Sequence, residues 1–325
     1  MKIAFAITSR NYLAQTRIAV RSFATYHPDF KVFIFNIDTS FYETEAIWKS
    51  EEIVHHFVHN IQFEHKEELR SKYNDFEYCN AIKPFLCSWL FEQFKAVEYI
   101  VYLDSDLVFY NPIELEEALN HHIAVITPHT LSEFPIDHCL TSELDINNSG
   151  IYNAGFFIVS NTQNGKKLLE WWKKRTLNYC YVDFEKGMFV DQIWLNLVPL
   201  YFEEVLVLKN PGYNVAHWNL HERLLSIKDK IYVNNQYKLV FFHFSGFAFD
   251  DINKISKHQN RYTLDSRNDL STIFVEYKQL VEEANITINQ LLGTPSGSEL
   301  WLKKVTIKIQ KWKGKFNKII KILIN

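Results

Sequence analysis

Short, almost continuously apolar runs separated by more polar segments mark the amino-terminal part of the chain. Residues 2–7 and 30–37 have the composition of strands buried on both faces of a sheet. Residues 13–26 between them are predicted to form a helix that ends before Pro28. Strand, helix and strand in this order predict a βαβ unit, and therefore an α/β fold with a mostly parallel sheet flanked by helices.

The same pattern continues through the rest of the chain. Further strands are predicted at residues 99–103, 123–127, 152–159 and 239–242, and further helices at 78–94, 166–178 and 189–196. Residues 42–75 are charged and irregular, and we assign them to helices and connections at the periphery. Residues 128–150 are rich in His, Pro, Ser and Asp, and we expect them to form a mobile loop over the functional site.

Two carboxylates follow the strand predicted at residues 99–103. Asp104 and Asp106 come directly after it, and the sequence then becomes apolar again. Open α/β sheets bind ligands outside the carboxyl ends of their strands, and side chains at i and i+2 of an extended backbone point to the same side. Two carboxylates in this arrangement can hold Mg²⁺ or Mn²⁺ with positions left open for phosphates. The alternative is a solvated turn that only ends a strand.

Further candidates follow the first strand and interrupt a helix. Thr8, Arg10 and Tyr12 stand at the same predicted sheet edge, where a nucleotide can stack on an aromatic ring and meet a cation. An ordinary polar loop has the same composition. Lys83 lies in an otherwise apolar helix, either as a side chain that extends to solvent or as a cation that faces phosphates.

Three polar residues come later in apolar surroundings. Asp191 and Gln192 lie inside the apolar segment 189–196, and burying them without partners would be costly, so they require partners or a ligand. His243 follows the strand at residues 239–242. A lone His in this position is usually structural, but a neutral imidazole beside two carboxylates is a candidate third metal ligand.

Charge is distributed unevenly along the chain. The chain has 325 residues, is 47% hydrophobic and carries a net charge of −3, which is typical of a folded protein with a substantial core. Residues 299–325 carry eight lysines and one glutamate, a net +7, so residues 1–298 carry −10. The body therefore has no basic groove, and no nucleic-acid partner is expected.

The carboxyl-terminal segment 299–325 has the pattern of a basic amphipathic helix. Apolar residues recur every three or four positions at Trp301, Val305, Ile309, Trp312, Phe316, Ile319, Ile320 and Leu323, and the lysines occupy the remaining circumference. Packing on the body would explain the apolar face alone. An anionic membrane surface explains the lysines as well, so we expect this segment to bind such a surface.

The cysteines and the amino terminus indicate the cellular compartment in which the protein is expected. Cys79, Cys87, Cys139 and Cys180 are widely spaced and are expected to be reduced thiols, as in cytosolic proteins. The first apolar run is too short for a signal peptide, and no stretch is long enough to span a membrane. We therefore expect a cytoplasmic protein that associates peripherally with the inner face of the cell membrane.

Four short motifs together resemble a known enzyme family. They occur in the order Asp104-Ser105-Asp106, Asn153-Ala154-Gly155, Asp191-Gln192 and His243-Phe244-Ser245-Gly246. This order resembles the GT-A glycosyltransferases of glycosyltransferase family 8, which include bacterial lipopolysaccharide galactosyl- and glucosyltransferases and glycogenin. The stretches 211–223 and 256–261 resemble bacterial glycosyltransferases more closely. The resemblance covers about residues 1–265 and implies a GT-A fold.

The resemblance also implies roles for the site residues. The implied metal ligands are Asp104, Asp106 and His243, which would hold Mn²⁺ or Mg²⁺ against the diphosphate of a nucleotide-sugar, expected to be a UDP-hexose. Thr8, Arg10 and Tyr12 would bind the base and ribose of the donor, and Lys83 would face its diphosphate or its sugar. Asn153 would hold the sugar beside the backbone of Ala154 and Gly155. Ser105, between the metal ligands, is also an implied donor-binding residue. Asp191 would bind sugar hydroxyls, and Gln192 matches the residue on the β face of the anomeric carbon in retaining enzymes.

One departure from the family concerns the diphosphate. Family 8 enzymes usually continue after the His-Phe-x-Gly motif with Lys-Pro-Trp, whose lysine grips the diphosphate. Here residues 247–251 read Phe-Ala-Phe-Asp-Asp. Lys257 or Arg261 is the expected substitute.

These observations lead to one main hypothesis and two alternatives. We expect a metal-dependent, retaining hexosyltransferase that acts on a cell-surface glycan precursor, with a catalytic domain at residues 1–270 and a helical region at 271–325. A sugar nucleotidyltransferase also uses paired carboxylates, but it favours a glycine-rich loop that residues 8–12 lack. A non-catalytic carbohydrate-binding protein of the same fold would be expected to have lost a metal ligand.

Overall fold

A computed structural model describes residues 1–38, Trp48 and residues 53–292. The strands are β1 Lys2–Thr8, β2 Phe30–Asn36, β3 Val54–Phe57, β4 Tyr99–Leu103, β5 Leu107–Phe109, β6 Ala124–Pro128, β7 Tyr152–Ser160, β8 Val182–Asp183, β9 Met188–Phe189, β10 Val205–Val207, β11 Val215–Ala216, β12 Leu225–Ile227, β13 Ile231–Val233, β14 Tyr237–Lys238 and β15 Phe241–His243. The α-helices are α1 Leu13–Tyr26, α2 Lys66–Lys72, α3 Asp75–Ala81, α4 Lys83–Gln93, α5 Glu116–Leu119, α6 Glu143–Ser149, α7 Gln163–Asn178, α8 Val198–Tyr201 and α9 Ser271–Leu292.

Seven strands form the central sheet, in the order β10-β6-β7-β4-β1-β2-β3. Neighbours are parallel except β7, which runs antiparallel to both β4 and β6. Every residue of β4 is buried, as expected for an apolar strand covered on both faces. The prediction of an α/β fold with a mostly parallel sheet flanked by helices is confirmed.

The two faces of the sheet carry separate cores. Alternate residues of β1 divide between them, with Ala4 and Ala6 on one face and Ile3 and Phe5 on the other. The first face is covered by α1 and α9, and the second by α4 and α7. The small residues of β1 therefore face α1 and α9.

A small three-stranded sheet, in the order β11-β15-β5, lies beside the central one. It contains both the strand that follows the two carboxylates and the strand that ends at His243. Tyr277 of α9 stacks on Phe244, with ring centroids 3.9 Å apart and planes 9° apart. The last described helix is therefore packed directly behind the residue that follows His243.

Several predicted elements differ from the observed ones. The helix predicted at residues 78–94 is two helices, α3 and α4, because Pro84 lies in the first turn of α4 and its ring is incompatible with a helix that continues from before it. The segment 189–196 forms a 3-10 helix at Gln192–Leu197, and the segment 128–150 contains α6.

The predicted amphipathic helix at residues 299–325 lies outside the described residues. Within the described ranges, no helix is long and apolar enough to cross a membrane.

Candidate active site

Three predicted metal ligands meet where β4 ends. Asp104 follows β4, Asp106 precedes β5, and His243 is the last residue of β15. The antiparallel pairing of β15 with β5 places His243 opposite Leu107, so the imidazole lies beside both carboxylates. One ligand atom from each of Asp104, Asp106 and His243 lies within 4.8 Å of the other two. The sheet pairing, which connects residues far apart in sequence, thus brings the two carboxylates and the imidazole together.

The imidazole of His243 is held in one orientation. Its Nε2 lies 2.9 Å from Asp106 Oδ1 and 3.9 Å from Asp104 Oδ2, and its Nδ1 lies 3.2 Å from Asn214 Oδ1. An amide oxygen only accepts hydrogen bonds, so Nδ1 carries the proton and Nε2 faces the carboxylates. Asn214 has a φ of 54°, a left-handed conformation that Asn adopts more readily than most residues. Such a partner behind the ring is how proteins orient a metal-binding His.

The charges in this group oppose the effect of burial. Burial disfavours the imidazolium form of His243, but the charges of Asp106 and Asp104 outweigh it and raise the His243 pKa above its ordinary value. Burial also disfavours the ionised form of Asp106, but His243 outweighs it and lowers the Asp106 pKa. The group therefore stabilises positive charge between its members, as a bound divalent cation requires.

Lys83 lies between two carboxylates instead of reaching solvent. Its Nζ is 3.2 Å from Asp191 Oδ2 and 3.7 Å from Asp104 Oδ1, and it donates a hydrogen bond to the Ala154 carbonyl at 3.1 Å. It also lies 4.6 Å from the centre of the Tyr102 ring. The side chain is only 2% exposed, so the surface alternative for Lys83 is wrong, and its role as a cation that faces the diphosphate or the sugar stays a prediction.

Asp191 is completely buried at the inner end of this ion pair. Burial raises the pKa of Asp191 to about 6. The charge of Lys83 lowers this pKa, and the charge of Asp104 raises it. Its Oδ1 has no hydrogen-bond donor among the residues that the structure describes. A buried carboxylate oxygen without a donor is suited to accept a hydrogen bond from a ligand hydroxyl.

The turn that delivers Asp191 is strained. Val190, a β-branched residue, has a φ of 40°, which costs free energy for any residue with a Cβ. The conformation is held from both sides, because Val190 N donates to the Tyr181 carbonyl at 3.2 Å and Trp172 Nε1 donates to the Asp191 carbonyl at 3.2 Å. Such strain persists only where surrounding contacts impose it. Here the two hydrogen bonds hold the strained turn, and the turn positions Asp191 beside Lys83.

The antiparallel direction of β7 brings its first residues, not its last, to this edge of the sheet. Gly155 accepts a hydrogen bond from Asp104 N at 2.8 Å. A Cβ on Gly155 would lie 2.6 Å from Asp104 Oδ2 and 2.6 Å from His243 Cε1. The absence of a side chain at this position is therefore a condition for the carboxylate and the imidazole to meet.

Asn153 and Gln192 form one hydrogen-bonded unit beside Gly155. Gln192 Oε1 accepts from Asn153 Nδ2 and from Ala154 N, both at 3.1 Å, and Gln192 Nε2 donates to the Ser149 carbonyl at 2.9 Å. Asn153 Oδ1 accepts from Gly155 N at 3.0 Å. The two amides predicted to face the donor sugar are thus fixed relative to each other and to the backbone of β7.

The residues after β1 occupy different depths. Thr8 is buried, and its hydroxyl accepts a hydrogen bond from Thr16 Oγ1 at 2.8 Å. Arg10 is half-buried, while the ring of Tyr12 is half-exposed. Burial raises the Tyr12 pKa, and the charge of Asp106 acts in the same direction, which places this ring near the metal-ligand group.

The candidates for the diphosphate lie on the loop after β15. Arg261 is engaged elsewhere, because its Nε and Nη2 donate to the Asp137 carboxylate at 2.7 and 3.0 Å. Lys257 is exposed, and its backbone N–H donates to the Gly246 carbonyl at 2.8 Å. Ser105 is half-buried between the two aspartates. Lys257 therefore remains the predicted diphosphate contact, and Arg261 does not.

Three residues of the site were missed by the sequence interpretation. Tyr102 donates a hydrogen bond to Asp104 Oδ1 at 2.6 Å, and the i, i+2 spacing on a strand could have indicated it. Asn214 and Trp218 reach the site through contacts that are distant in sequence, and no local pattern marks them.

Comparison with known proteins adds little on function. No protein-family model matches the chain. Two relatives from Bacillus subtilis strain 168, YfnF and YfnD, are themselves uncharacterized. YfnF is 26% identical over 278 residues, which cover 84% of this chain and 89% of YfnF. YfnD is 27% identical over 248 residues, which cover 74% of this chain and 76% of YfnD.

Solved structures similar to this chain include glycosyltransferases. The galactosyltransferase LgtC, in complex with donor and acceptor sugar analogs, matches 92% of this chain and 98% of its own with a TM-score of 0.47 and 14% identity. The glycosyltransferase GlyE of Streptococcus pneumoniae TIGR4 matches 91% of this chain and 66% of its own, with a TM-score of 0.47 and 15% identity. At these values the likeness assigns no function to this chain.

Gly155→Ala should weaken metal binding while leaving the fold intact. The added Cβ would displace Asp104 or His243, and disturbing the support of metal ligands typically costs roughly 10- to 100-fold in affinity. Isothermal titration calorimetry with Mn²⁺ measures the affinity of each variant. Gly187→Ala is the matched control, because nothing lies within 4 Å of the Cβ that this substitution adds. The φ of 64° at residue 187 makes the control variant slightly less stable. Equal Mn²⁺ affinities of Gly155→Ala and the unmodified protein would contradict the close approach.

Proposed function

We propose that this protein is a metal-dependent glycosyltransferase that moves a hexose from a nucleotide-sugar, a UDP-hexose, to an acceptor hydroxyl. The observation that carries the proposal is the meeting of Asp104, Asp106 and His243, with ligand atoms within 4.8 Å, at the carboxyl end of a buried strand. The catalytic part is residues 1–270.

The residues of this group fit a divalent cation. Two carboxylates and one oriented imidazole suit Mn²⁺ or Mg²⁺, cations that keep coordination positions for phosphate oxygens. When bound, the metal supplies charge neutralisation to the diphosphate leaving group. His243 is kept in the tautomer that presents Nε2 by its contact with Asn214.

The donor would lie across the edge of the sheet. Tyr12 and Arg10, with Thr8 buried behind them, hold the base and ribose in this proposal. Lys257 supports the diphosphate together with Ser105. The sugar lies against Asn153 and the backbone of Ala154 and Gly155, where the unsatisfied Oδ1 of Asp191 accepts from a sugar hydroxyl.

The transfer exchanges one C–O bond for another. The bond from the anomeric carbon to the β-phosphate oxygen breaks, and a bond to the acceptor oxygen forms. The acceptor proton passes to the departing phosphate oxygen, so no protein base is consumed. We assign Gln192 to the β face of the anomeric carbon, where its carbonyl stabilises an oxocarbenium-like transition state with retention.

Asp106→Asn should abolish transfer without unfolding the protein, because it removes one ligand charge at a polar edge and leaves no cavity. Incubation with Mn²⁺ and a panel of nucleotide-sugars, followed by chromatography of released nucleotide, measures donor hydrolysis. EDTA should stop the reaction and added Mn²⁺ restore it. Asp229→Asn, in the β12–β13 connection, is the matched control and should behave as the unmodified protein. Turnover in EDTA equal to that in Mn²⁺ would refute the metal requirement.

Gln192→Ala should lower kcat far more than it raises the KM of the donor, because the proposed contact strengthens in the transition state. Steady-state donor hydrolysis measures both constants, and Gln279→Ala on the exposed face of α9 is the control. A variant with unchanged kcat but reduced thermal stability would assign Gln192 only to the bonds with Asn153 and Ala154.

The acceptor is proposed to be a cell-surface glycan precursor, such as lipopolysaccharide, capsule or a lipid-linked oligosaccharide. The eight lysines of residues 299–325 support this, since each lysine near an anionic membrane contributes about 1 kcal/mol to binding.

Deleting residues 299–325 should therefore release the protein from vesicles that contain phosphatidylserine. Co-sedimentation at low and high salt measures binding, which should weaken as salt rises because the attraction is screened. Vesicles of phosphatidylcholine alone are the control. Equal sedimentation of the full and shortened chains would contradict membrane binding by residues 299–325.

A further inference from the structure

Large aliphatic side chains are exposed along residues 131–144, a segment between β6 and the first turn of α6 that we call the strap. Ile136 is 96% exposed and Leu144 is 73% exposed, and the side chains of Leu131 and Leu140 are exposed as well. Single apolar residues on a surface are ordinary, but a concentration of them usually marks an interaction site. The strap is therefore a candidate docking surface.

Contacts with the rest of the chain hold the strap in place near both of its ends. The Glu222 carboxylate accepts hydrogen bonds from Leu131 N, at 3.0 Å to one oxygen and 2.9 Å to the other. Leu140 N donates to Asn260 Oδ1 at 2.7 Å. Because its backbone is fixed in this way, the strap keeps its aliphatic side chains turned away from the core.

The strap borders the proposed active site. Phe134, on its buried side, packs with Trp218 in a small apolar cluster, and the Trp218 ring lies 5.1 Å from the ring of His243. Thr141 Oγ1 donates to the carbonyl of His258 at 3.3 Å, on the loop that follows β15. A molecule that docks on the exposed side of the strap therefore stands beside the metal-ligand group.

The strap is acidic and contains neither lysine nor arginine. Glu133, Asp137 and Glu143 give it a net charge of −3 when His138 is counted as neutral. Asp137 is paired with Arg261, whose Nε lies 2.7 Å from Asp137 Oδ2. The exposed Glu133 and Glu143 take part in none of the salt bridges among the residues that the structure describes. Such a surface repels anionic lipid and suits a partner that is both apolar and cationic.

The chain itself contains a segment with these two properties. Residues 299–325, which we call the tail, carry a net charge of +7 and have the sequence pattern of an amphipathic helix. A helix of this length would measure about 40 Å. Residues 293–298 connect the tail to the end of α9, and residues 293–325 would span roughly 100 Å if extended. The tail is therefore long enough to reach the strap.

We propose that the tail docks on the exposed side of the strap when no membrane is present, and leaves the strap when it binds an anionic membrane. The apolar face of the tail covers Ile136 and Leu144, and its lysines pair with Glu133 and Glu143. Because the membrane takes the same face of the tail, the two contacts exclude each other. A docked tail also narrows access to the site, a consequence that rests on the proposed function, whereas the docking itself does not.

Cross-linking of the full chain tests the docking. A carbodiimide joins a lysine to a carboxylate only where the two are in contact, and a mixture of ¹⁴N- and ¹⁵N-labelled chains separates links within one chain from links between chains. At low salt and without vesicles, mass spectrometry should find tail lysines joined to Glu133 or Glu143 within one chain. Vesicles with phosphatidylserine should remove these links, and vesicles of phosphatidylcholine alone should not.

Matched variants measure the apolar part of the contact. The double substitution Ile136→Ser/Leu144→Ser keeps both carboxylates and opens no cavity, because both side chains are exposed. It should lower the yield of the links about tenfold, since burial of aliphatic side chains supplies much of such binding. Leu200→Ser on α8 is the control, because this side chain is 77% exposed and lies outside the strap, and its links should match those of the unmodified protein.

Three results would overturn the docking. Tail lysines would join only carboxylates outside the strap, the links would form only between ¹⁴N and ¹⁵N chains and so indicate a second copy, or the links would survive the double substitution and the phosphatidylserine vesicles.

Donor hydrolysis tests the effect on the site separately. With UDP-glucose or UDP-galactose, Mn²⁺ and no vesicles, the double variant should turn over several-fold faster than the unmodified protein, and phosphatidylserine vesicles should remove the difference. Equal rates beside intact cross-links would overturn the effect on access. A failure of every variant to hydrolyse any nucleotide-sugar would instead refute the proposed function, and the cross-links would still decide the docking.

Discussion

The site depends on a buried ammonium shared by two carboxylates. Lys83 lies within 3.2 Å of Asp191 and 3.7 Å of Asp104, and it also binds the Ala154 carbonyl. It therefore joins the end of β4, the start of β7 and the strained turn before Asp191. Two carboxylates this close would repel each other without a cation between them, and removing one partner of a buried ion pair typically costs about 3–5 kcal/mol. The break between α3 and α4 places Lys83 at the first turn of its helix, where it reaches the sheet edge.

The sequence predicted those parts of the molecule that local pattern determines. Apolar runs located five of the seven strands of the central sheet, and the i, i+2 rule placed Asp104 and Asp106 on one side of an extended segment. The edge strands were missed, because β3 lies in the segment 42–75 that was assigned to helices and connections, and β10 was not predicted. The position of His243 followed from its place at the end of a strand. What local pattern does not contain is pairing between distant segments. The contact of Asn214 with His243, the contact of Trp218 with His243 and the ion pair between Lys83 and Asp191 all join residues far apart in the chain.

The two ends of the site differ in their physical character. At one end, full charges are paired at short range in a buried environment, where electrostatic interactions are strong. At the other end, the imidazoles of His129 and His217 pack edge to face on the indole of Trp218, and contacts depend on shape and hydrogen bonding. His243 belongs to both, because its Nε2 lies 2.9 Å from Asp106 Oδ1 and its ring packs edge to face with that of Trp218.

The direction of β7 has a consequence for how such a site changes in evolution. Because Gly155 meets Asp104 through the register of paired strands, an insertion or deletion near the start of β7 would put a side chain where none fits. The segment 128–150, which supplies Phe134 and Ile146, lies mostly outside the sheet, where changes in length and sequence are better tolerated. Natural variation in this protein can therefore alter the surroundings of Trp218 while the contact of Gly155 with Asp104 stays constant. Loop replacement would then change the residues around the site without disturbing the close approach of Gly155 to Asp104 and His243.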